Sequence, residues 1–407
     1  MAGPLTGYRV LDMSRVLAGP WAGQLLADLG ADVIKVERPK VGDDTRHWGP
    51  PYLKDATGAD TEDAAYFFSA NRGKRSLTVD ITQPEGQDII RKLASKVDVL
   101  IENYKVGGLA KYGLDYSSLE KLNPKLVYCS ITGFGQTGPY AQRPGYDFLI
   151  QGMAGLMSVT GEPDSQNGGG PTKVGVAVTD IFTGLYAANA IQGALLERHH
   201  SGMGQYIDLA LLDVQAAVMA NQASNYLIGG QIPGRLGNAH PNIVPYQAFT
   251  TLDSHVIVAV GNDQQFQRFC KAIGEPKWAD DQRYATNTAR VNNRVTLCGQ
   301  ITKHLKQQNS QYWLSKFEDH AVPCGPINTI DQVFDDPQIQ SRNMVLTMQD
   351  PRAGELRLVA NPINYSRSQI EYHLAPPQLG NQTIEILQEY LEYAETTVKV
   401  LESNDVI

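Results

Sequence analysis

The stretch "YRVLDMSRVLAGPWAGQLLADLGADVIKVER", residues 8–38, decides the fold. Tyr8–Ser14 is a short apolar run of strand length. "GPWAGQLLADLGA" (19–31) then reads as a helix. Pro20 suits a first helical turn, where its missing N–H costs nothing, and Gly30 stands near the end. "DVIKVER" (32–38) is a second strand. The three pieces make one β-α-β unit, and the pattern repeats. "RSLTVDIT" (75–82), a helix over about 84–96, "DVLIENY" (98–104), a helix near 116–122 and the strand "LVYCSITGFG" (126–135) continue it. Repeated units of this kind predict an α/β fold with a mainly parallel sheet covered by helices.

Further along, "DIFTGLYAANAIQGALLERHH" from Asp180 reads as a long helix and "GQYIDLALLD" as a returning strand. Residues 213–227 read as another helix. "GGQIPGRLGNAHPNIVPYQ" (229–247) breaks the pattern with Gly, Pro and Asn and marks a boundary. The expected organisation is 1–228 as the first part of a large domain and 229–325 as a small domain that opens on a hairpin over 246–261. Residues 326–407 then form a linker and a return to the large domain, with a hairpin in "QDPRAGELRLV" and a closing helix in "NQTIEILQEYLEY".

Composition narrows the functional classes. Hydrophobic residues make up 42% and charged residues 19%, an ordinary globular balance. A net charge of -8 argues against nucleic acid or an anionic membrane as partner. No apolar run approaches the roughly 20 residues that span a bilayer, and the N-terminus lacks a secretory pattern, so a cytoplasmic protein is expected. Four cysteines without a CxxC pair suggest reduced thiols. The eight histidines lack metal-ligand spacing, so no metal is expected. GxGxxG, GxSxG and P-loop motifs are absent. "NGGGP" (167–171) reads either as an anion cradle or, more simply, as a flexible connection.

In such sheets ligands bind beyond the carboxyl ends of the strands. Three strand-end regions carry cations: Arg38 ends one strand, Arg72, Lys74 and Arg75 stand just before another, and Lys105 ends a third. Their shared position predicts an anion site with several phosphates. A different signal is the lone carboxylate in "PTKVGVAVTDIFTG" (171–184). Asp180 before an apolar helical run is an ordinary N-cap. Thr179 offers the same service, which leaves Asp180 free as a nucleophile. Local sequence leaves both readings open.

Taken together the segments resemble the class III coenzyme A transferases, the CaiB/BaiF family of formyl-CoA and carnitine CoA-transferases. The landmarks are residues 10–39, "GDDTR", "NRGKRS", "ENYKVGGLAKYG", "SITGFGQTGPY", "RPGYD" and "VGVAVTDIFTG", in that order. The resemblance implies a Rossmann-like large domain built from both chain ends, a smaller α+β domain, and an interlocked homodimer. It implies that Asp180 is the nucleophile and that Asp147 is a second acid of the site. CoA is implied to run along Val16, Leu17, Ala18, Arg38, Gly73, Lys74, Arg75, Ser76, Asn103, Tyr104, Lys105 and Lys111.

The resemblance further implies CoA transfer from an acyl-CoA to a small carboxylic acid through aspartyl intermediates. CoA and acyl-CoA are substrates, and no cofactor is permanently bound. Formyl-CoA transferases carry glutamine where this chain has Leu17, and a glycine tetrad is missing from 237–247, which argues against a formate and oxalate pair. The related α-methylacyl-CoA racemases pair the acid with a histidine. The matching residue here is Tyr146, whose ordinary pKa of about 10 poorly suits a base at neutral pH. Transferase therefore stands ahead of racemase and of a non-catalytic CoA-binding protein. Arg46, in "GDDTRHWG", is the expected holder of a second carboxylate, as on succinate or glutarate, unless Asp43 or Asp44 occupies it. Backbone N–H groups near Gly135 or within 229–245 are the expected oxyanion donors.

Overall fold

The structure is a computed structural model and describes residues 2–407. The described residues divide into two compact units, the first comprising 2–156, 174–223 and 337–407, the second 157–173 and 224–336.

The first unit is built on a six-stranded sheet. Its strands, numbered along the chain, are β1 (Arg9–Asp12), β2 (Asp32–Glu37), β3 (Lys74–Thr78), β4 (Val99–Glu102), β5 (Val127–Thr132) and β6 (Tyr206–Ala210). Their spatial order is β3-β2-β1-β4-β5-β6, and every pairing is parallel. This 3-2-1-4-5-6 order is that of the doubly wound dinucleotide folds, and the order reverses between β1 and β4.

Because strand residues alternate between faces, the core splits in two. On one face Leu11, Ile34, Leu77, Leu100 and Tyr128 pack with α2 (Pro84–Ala94) and with a helix from the far end of the chain, α6 (Thr383–Leu391). On the other, Val10, Val33, Ile101 and Cys129 pack with α1 (Ala18–Asp28) and α4 (Val178–Ser201). Burial on both faces is why these strands read as apolar runs rather than as alternating ones. Both chain ends build this unit, as the family resemblance implies.

Two shorter helices complete the region of interest: α3 (Asp147–Met153) and α5 (Leu211–Ala217). The helix expected over 213–227 is broken. A second segment starts at Ala220, whose φ of +45° leaves the helical region. No Gly or Pro marks that break. A hairpin of Tyr52–Lys54 with Asp60–Ala64 has no clear sequence signal, because the first strand is only three residues long and the second is polar.

The second unit carries a three-stranded antiparallel sheet, with His255–Ala259 between Tyr246–Thr250 and Cys324–Gly325. Helices Asp263–Ala272 and Ser310–Asp319 close over it through Phe249, Phe266, Phe269 and Phe317. The boundaries differ from the expected 229–325. Residues 224–228 and 326–336 belong here, and so do 157–173, expected in the large domain. That earlier segment is tied in by the Gly237 N–H donating to the Gly161 carbonyl at 3.1 Å, by Arg235 donating to the Glu162 carbonyl at 3.2 Å, and by an Arg235–Asp164 ion pair. "NGGGP" lies in this segment. Among the described residues, no helix is long and apolar enough to cross a membrane, and no His/Cys/Asp/Glu group is arranged to hold a metal.

Candidate active site

A cleft opens at the carboxyl ends of β1, β4 and β5, where the strand order reverses. It is lined by Arg15–Ala18 after β1, Asn103–Val106 after β4, Ile131–Gly133 after β5, Arg143–Tyr146, Asp44 and Asp180. Eight residues singled out in the sequence therefore meet here: Val16, Leu17, Ala18, Asn103, Tyr104, Lys105, Tyr146 and Asp180.

Asp180 enters the cleft from the first turn of α4 and is not its cap. The N-cap position is Ala177, which makes no side-chain capping bond. Asp147, at the start of α3, takes that role from outside, its Oδ1 accepting from the Thr179 N–H at 2.8 Å and the Asp180 N–H at 3.3 Å. Gln151 donates to its other oxygen at 2.7 Å. Thr179 is turned the other way, its hydroxyl donating to Gln215 of α5 at 2.7 Å. Asp180 is therefore not required as a cap, since two of the orphan N–H groups of α4 are served by Asp147. Among the described residues, neither a hydrogen bond nor an ion pair holds the Asp180 side chain.

Burial pushes the Asp180 carboxyl up to about 7, with a further push from the Asp147 charge. A nucleophile at this position would react in its ionised form, so a reaction that depends on Asp180 should show kcat/KM rising with pH up to about 7 and levelling off above it. In Asp147→Asn, which removes the like charge, that limb should move to lower pH. A limb that stays in place would show that burial alone sets it. Rate-versus-pH profiles of the two proteins decide.

Close helix packing brings Asp180 to the β1–α1 turn. At Gly184, one turn further along α4, an added Cβ would stand 2.7 Å from the Ala18 carbonyl and 2.9 Å from Trp21. Only glycine permits the approach. The turn itself is strained, because Val16, a β-branched residue, has φ +70°, an arrangement that costs on the order of 1–3 kcal/mol.

Three groups hold the turn in place, Asn103 partly buried and Lys35 and Asp43 buried. Asn103 clamps Arg15 at two points, accepting from its N–H at 2.9 Å and donating to its carbonyl at 2.7 Å. Lys35 donates to the Ser14 carbonyl at 3.1 Å and to Asp43 at 2.8 Å. Asp43 accepts the Val16 N–H at 3.2 Å and caps the following turn through Thr45. Burial opposes the Asp43 charge, but Lys35 and the Thr45 donors prevail and hold its carboxyl down to about 2. With the turn so fixed, the Leu17 and Ala18 N–H groups have no acceptor among the described residues, and both residues line the cleft.

Several expected ligand contacts are otherwise engaged. The Lys74 ammonium is fully buried, with its three protons donated to Asp12 at 2.9 Å, the Pro20 carbonyl at 2.8 Å and Asn71 at 2.9 Å. Burial pushes it down to about 8. Arg75 pairs with Asp32, Glu385 and Glu389. Arg72 pairs with Asp28. Ser76 donates to Glu37 at 2.7 Å. Gly73, Lys74, Arg75 and Ser76 are absent from the cleft lining. The strand-end cations of "NRGKRS" thus serve the fold and do not form an open anion rim.

Arg46 is also corrected. It is 2% exposed, donates to both oxygens of Glu37 at 2.9 Å, to Asp63 at 2.8 Å and to the Pro377 carbonyl at 3.0 Å, and has no room for a substrate. Its partner is neither Asp43 nor Asp44. The Gly135 N–H, an expected oxyanion donor, is taken by Thr132 at 2.9 Å. Arg38 and Lys111 are exposed and lie outside the cleft lining; Arg38 reaches Asp44 at 3.4 Å and Lys111 stands over the Tyr112 ring at 4.5 Å.

Sequence pattern does not single out Arg15 or Arg143, and it offers Asp43 and Asp44 only as partners of Arg46, not as groups of the turn and the cleft. For Asp43 a signal existed: Asp two residues before Thr, as in "DDT", favours the local Asx turn found here.

Comparison with known proteins identifies the family. The model of CoA-transferase family III matches residues 5–383. The chain is 54% identical over 394 residues to a succinate–glutarate CoA-transferase of Agrobacterium fabrum, covering 97% of each. It is 43% identical over 404 residues to the human succinyl-CoA:glutarate CoA-transferase, covering 99% of this chain and 90% of that one. A crystal structure of a CaiB/BaiF family protein from Brucella suis superposes with a TM-score of 0.83 at 49% identity, covering 96% of this chain and all of that one. With a family match over most of its length and relatives this similar, the chain belongs to CoA-transferase family III and is a CoA-transferase.

Proposed function

We propose that the protein moves coenzyme A from succinyl-CoA to a small dicarboxylic acid of the glutarate type, with Asp180 as nucleophile. The observation that carries this reading is a partly buried carboxylate, free of partners, facing a cleft at the switch point while another acid caps its helix. Relatives named for glutarate, mesaconate and citramalate all act on acids with two carboxylates, which supports the acceptor class.

An Asp180 oxygen attacks the thioester carbonyl, the C–S bond breaks, and the CoA thiolate leaves a mixed anhydride. The thiolate then attacks the aspartyl carbonyl, which frees succinate and leaves an aspartyl-CoA thioester. The acceptor carboxylate attacks that thioester and releases thiolate again. The thiolate takes the acceptor's acyl carbon and returns Asp180 as carboxylate. Each tetrahedral stage carries an oxyanion. The unpaired N–H groups of Leu17 and Ala18 are suited to receive it at the start of α1, where the helix dipole adds to their effect. No histidine lines the cleft, so the α-proton shuttle of a racemase lacks its second base. CoA would extend over Asn103–Lys105 toward the exposed Arg38 and Lys111.

Incubation with succinyl-CoA followed by hydroxylamine should convert Asp180 to a hydroxamate, seen by peptide mass spectrometry. An unmodified Asp180 peptide during demonstrated transfer to glutarate would overturn the covalent route.

A further inference from the structure

With Arg46 engaged elsewhere, the cleft needs another group for a second carboxylate. Arg15 lines the cleft beside Val16 and is partly buried, its side chain 40% exposed. One ion pair holds it, a long 3.3 Å contact from Nη1 to Asp44, and Asp44 is itself shared with Arg38 at 3.4 Å. The Arg15 Nε is buried and lacks any acceptor. A buried guanidinium N–H without a partner is costly, and a ligand acceptor would relieve it. The head lies over the Tyr104 ring at 5.5 Å, and its backbone is clamped by Asn103, so its position is set before any ligand arrives. The other cations of the cleft, Lys105 and Arg143, are exposed and suit the solvent-facing phosphates of CoA. Arg15 and Asp180 line the same cleft. A reacting carboxylate at Asp180 and a second at Arg15 would describe a dicarboxylate.

We infer that Arg15 is the specificity-determining residue, its guanidinium fork holding the non-reacting carboxylate of donor and acceptor acids in exchange for the weak contact with Asp44. The assignment rests on the proposed transfer reaction. A monocarboxylic acid of equal length would leave the fork unfilled.

The test compares glutarate with valerate as acceptors from succinyl-CoA, in the wild type and in Arg15→Met and Arg15→Lys. In a double-displacement reaction kcat/KM for the acceptor reports the second half alone, so the glutarate-to-valerate ratio is free of donor effects. The ratio is expected to fall about 30-fold in Arg15→Met and by less in Arg15→Lys, which keeps the charge but not the fork. Inhibition by free CoA should be unchanged. An unaltered ratio in an active variant overturns the assignment. So does an equal loss with both acids in both variants, which would make Arg15 structural, or a weakening of CoA inhibition alone, which would make it a phosphate contact. If the wild type transfers CoA to neither acid, the acceptor class itself is wrong, and that outcome is distinct from a failure of Arg15.

Discussion

Asp180→Asn is expected to lose CoA transfer by about four orders of magnitude or more, the scale seen when a covalent nucleophile is removed. The same change should stabilise the protein. Burial raises the folded carboxyl from 3.8 to about 7, so between those values the folded state binds a proton that the unfolded state has released. Stability therefore falls as pH rises through that window and is lowest, as far as this group is concerned, above about 7. Asparagine carries no such penalty. At pH 8 the variant should be more stable than its parent by on the order of 2 kcal/mol, and near pH 4 the difference should vanish. Thermal unfolding at the two pH values measures it. A helix cap would behave oppositely, because its loss destabilises by about 1 kcal/mol at neutral pH. A variant that loses activity together with stability at pH 8 would return Asp180 to a structural role. Strain relieved by removing a functional group is the usual trade between activity and stability.

What the sequence makes legible follows from which physical signals are local. Strands buried on both faces leave apolar runs of the right length, so β1, β2, β4 and β5 and the helix after β1 stand out in residues 8–135. The long helix from Asp180 shows through its length and its alanines. Strand order is not local. That β1 lies between β2 and β4 depends on pairing across the sheet, which no single segment encodes.

Charged residues mislead for the same reason. Lys74 and Arg46 look like ligand-binding cations because both follow or begin turns at strand ends. Only the fold reveals Asp12 beneath one and Glu37 and Asp63 around the other. Arg15 was overlooked on opposite grounds: it sits between Ser14 and Val16 without any spacing pattern. What singles it out is an N–H that found no partner, and a missing partner is visible only once every neighbour is in place. The segment 157–173 was misplaced because its ties to Gly237 and Arg235 span more than seventy residues.

Arg46→Met carries the second large effect, and it falls on stability. Arg46 joins β2 through Glu37 to the Asp60–Ala64 strand through Asp63, and Asp63 continues to Arg352 at 2.5 Å and from there to Asp350 at 3.1 Å. The guanidinium also stacks 3.7 Å over the buried Phe67 ring. Burial penalises the Glu37 charge, and the Arg46 hydrogen bonds and charge more than offset it, so the carboxyl lies below its usual value. Methionine fills much of the volume but leaves Glu37 buried without its guanidinium partner, with the Ser76 hydroxyl, the Asp43 N–H and the Lys35 charge answering only part of its charge. Breaking a buried pair in this way costs about 3–5 kcal/mol, more than the pair's own net worth.

The deficit should shrink as pH falls, because without Arg46 the Glu37 carboxyl is pushed upward and takes a proton inside the fold, whereas the wild-type pair keeps its charge until lower pH. Removing the orphaned charge as well, in Arg46→Met with Glu37→Gln, should restore a large part of the loss, since the two residues act as one unit. Asp63 stays neutralised by Arg352 in both variants. Urea unfolding of the single and double variants measures both effects. A substrate-binding Arg46 would give the reverse pattern, with stability near wild type and the glutarate-to-valerate ratio collapsed. Because the side chain is 2% exposed and both its carboxylate partners lie within the fold, the expected result is a ratio unchanged in whatever fraction of Arg46→Met remains folded.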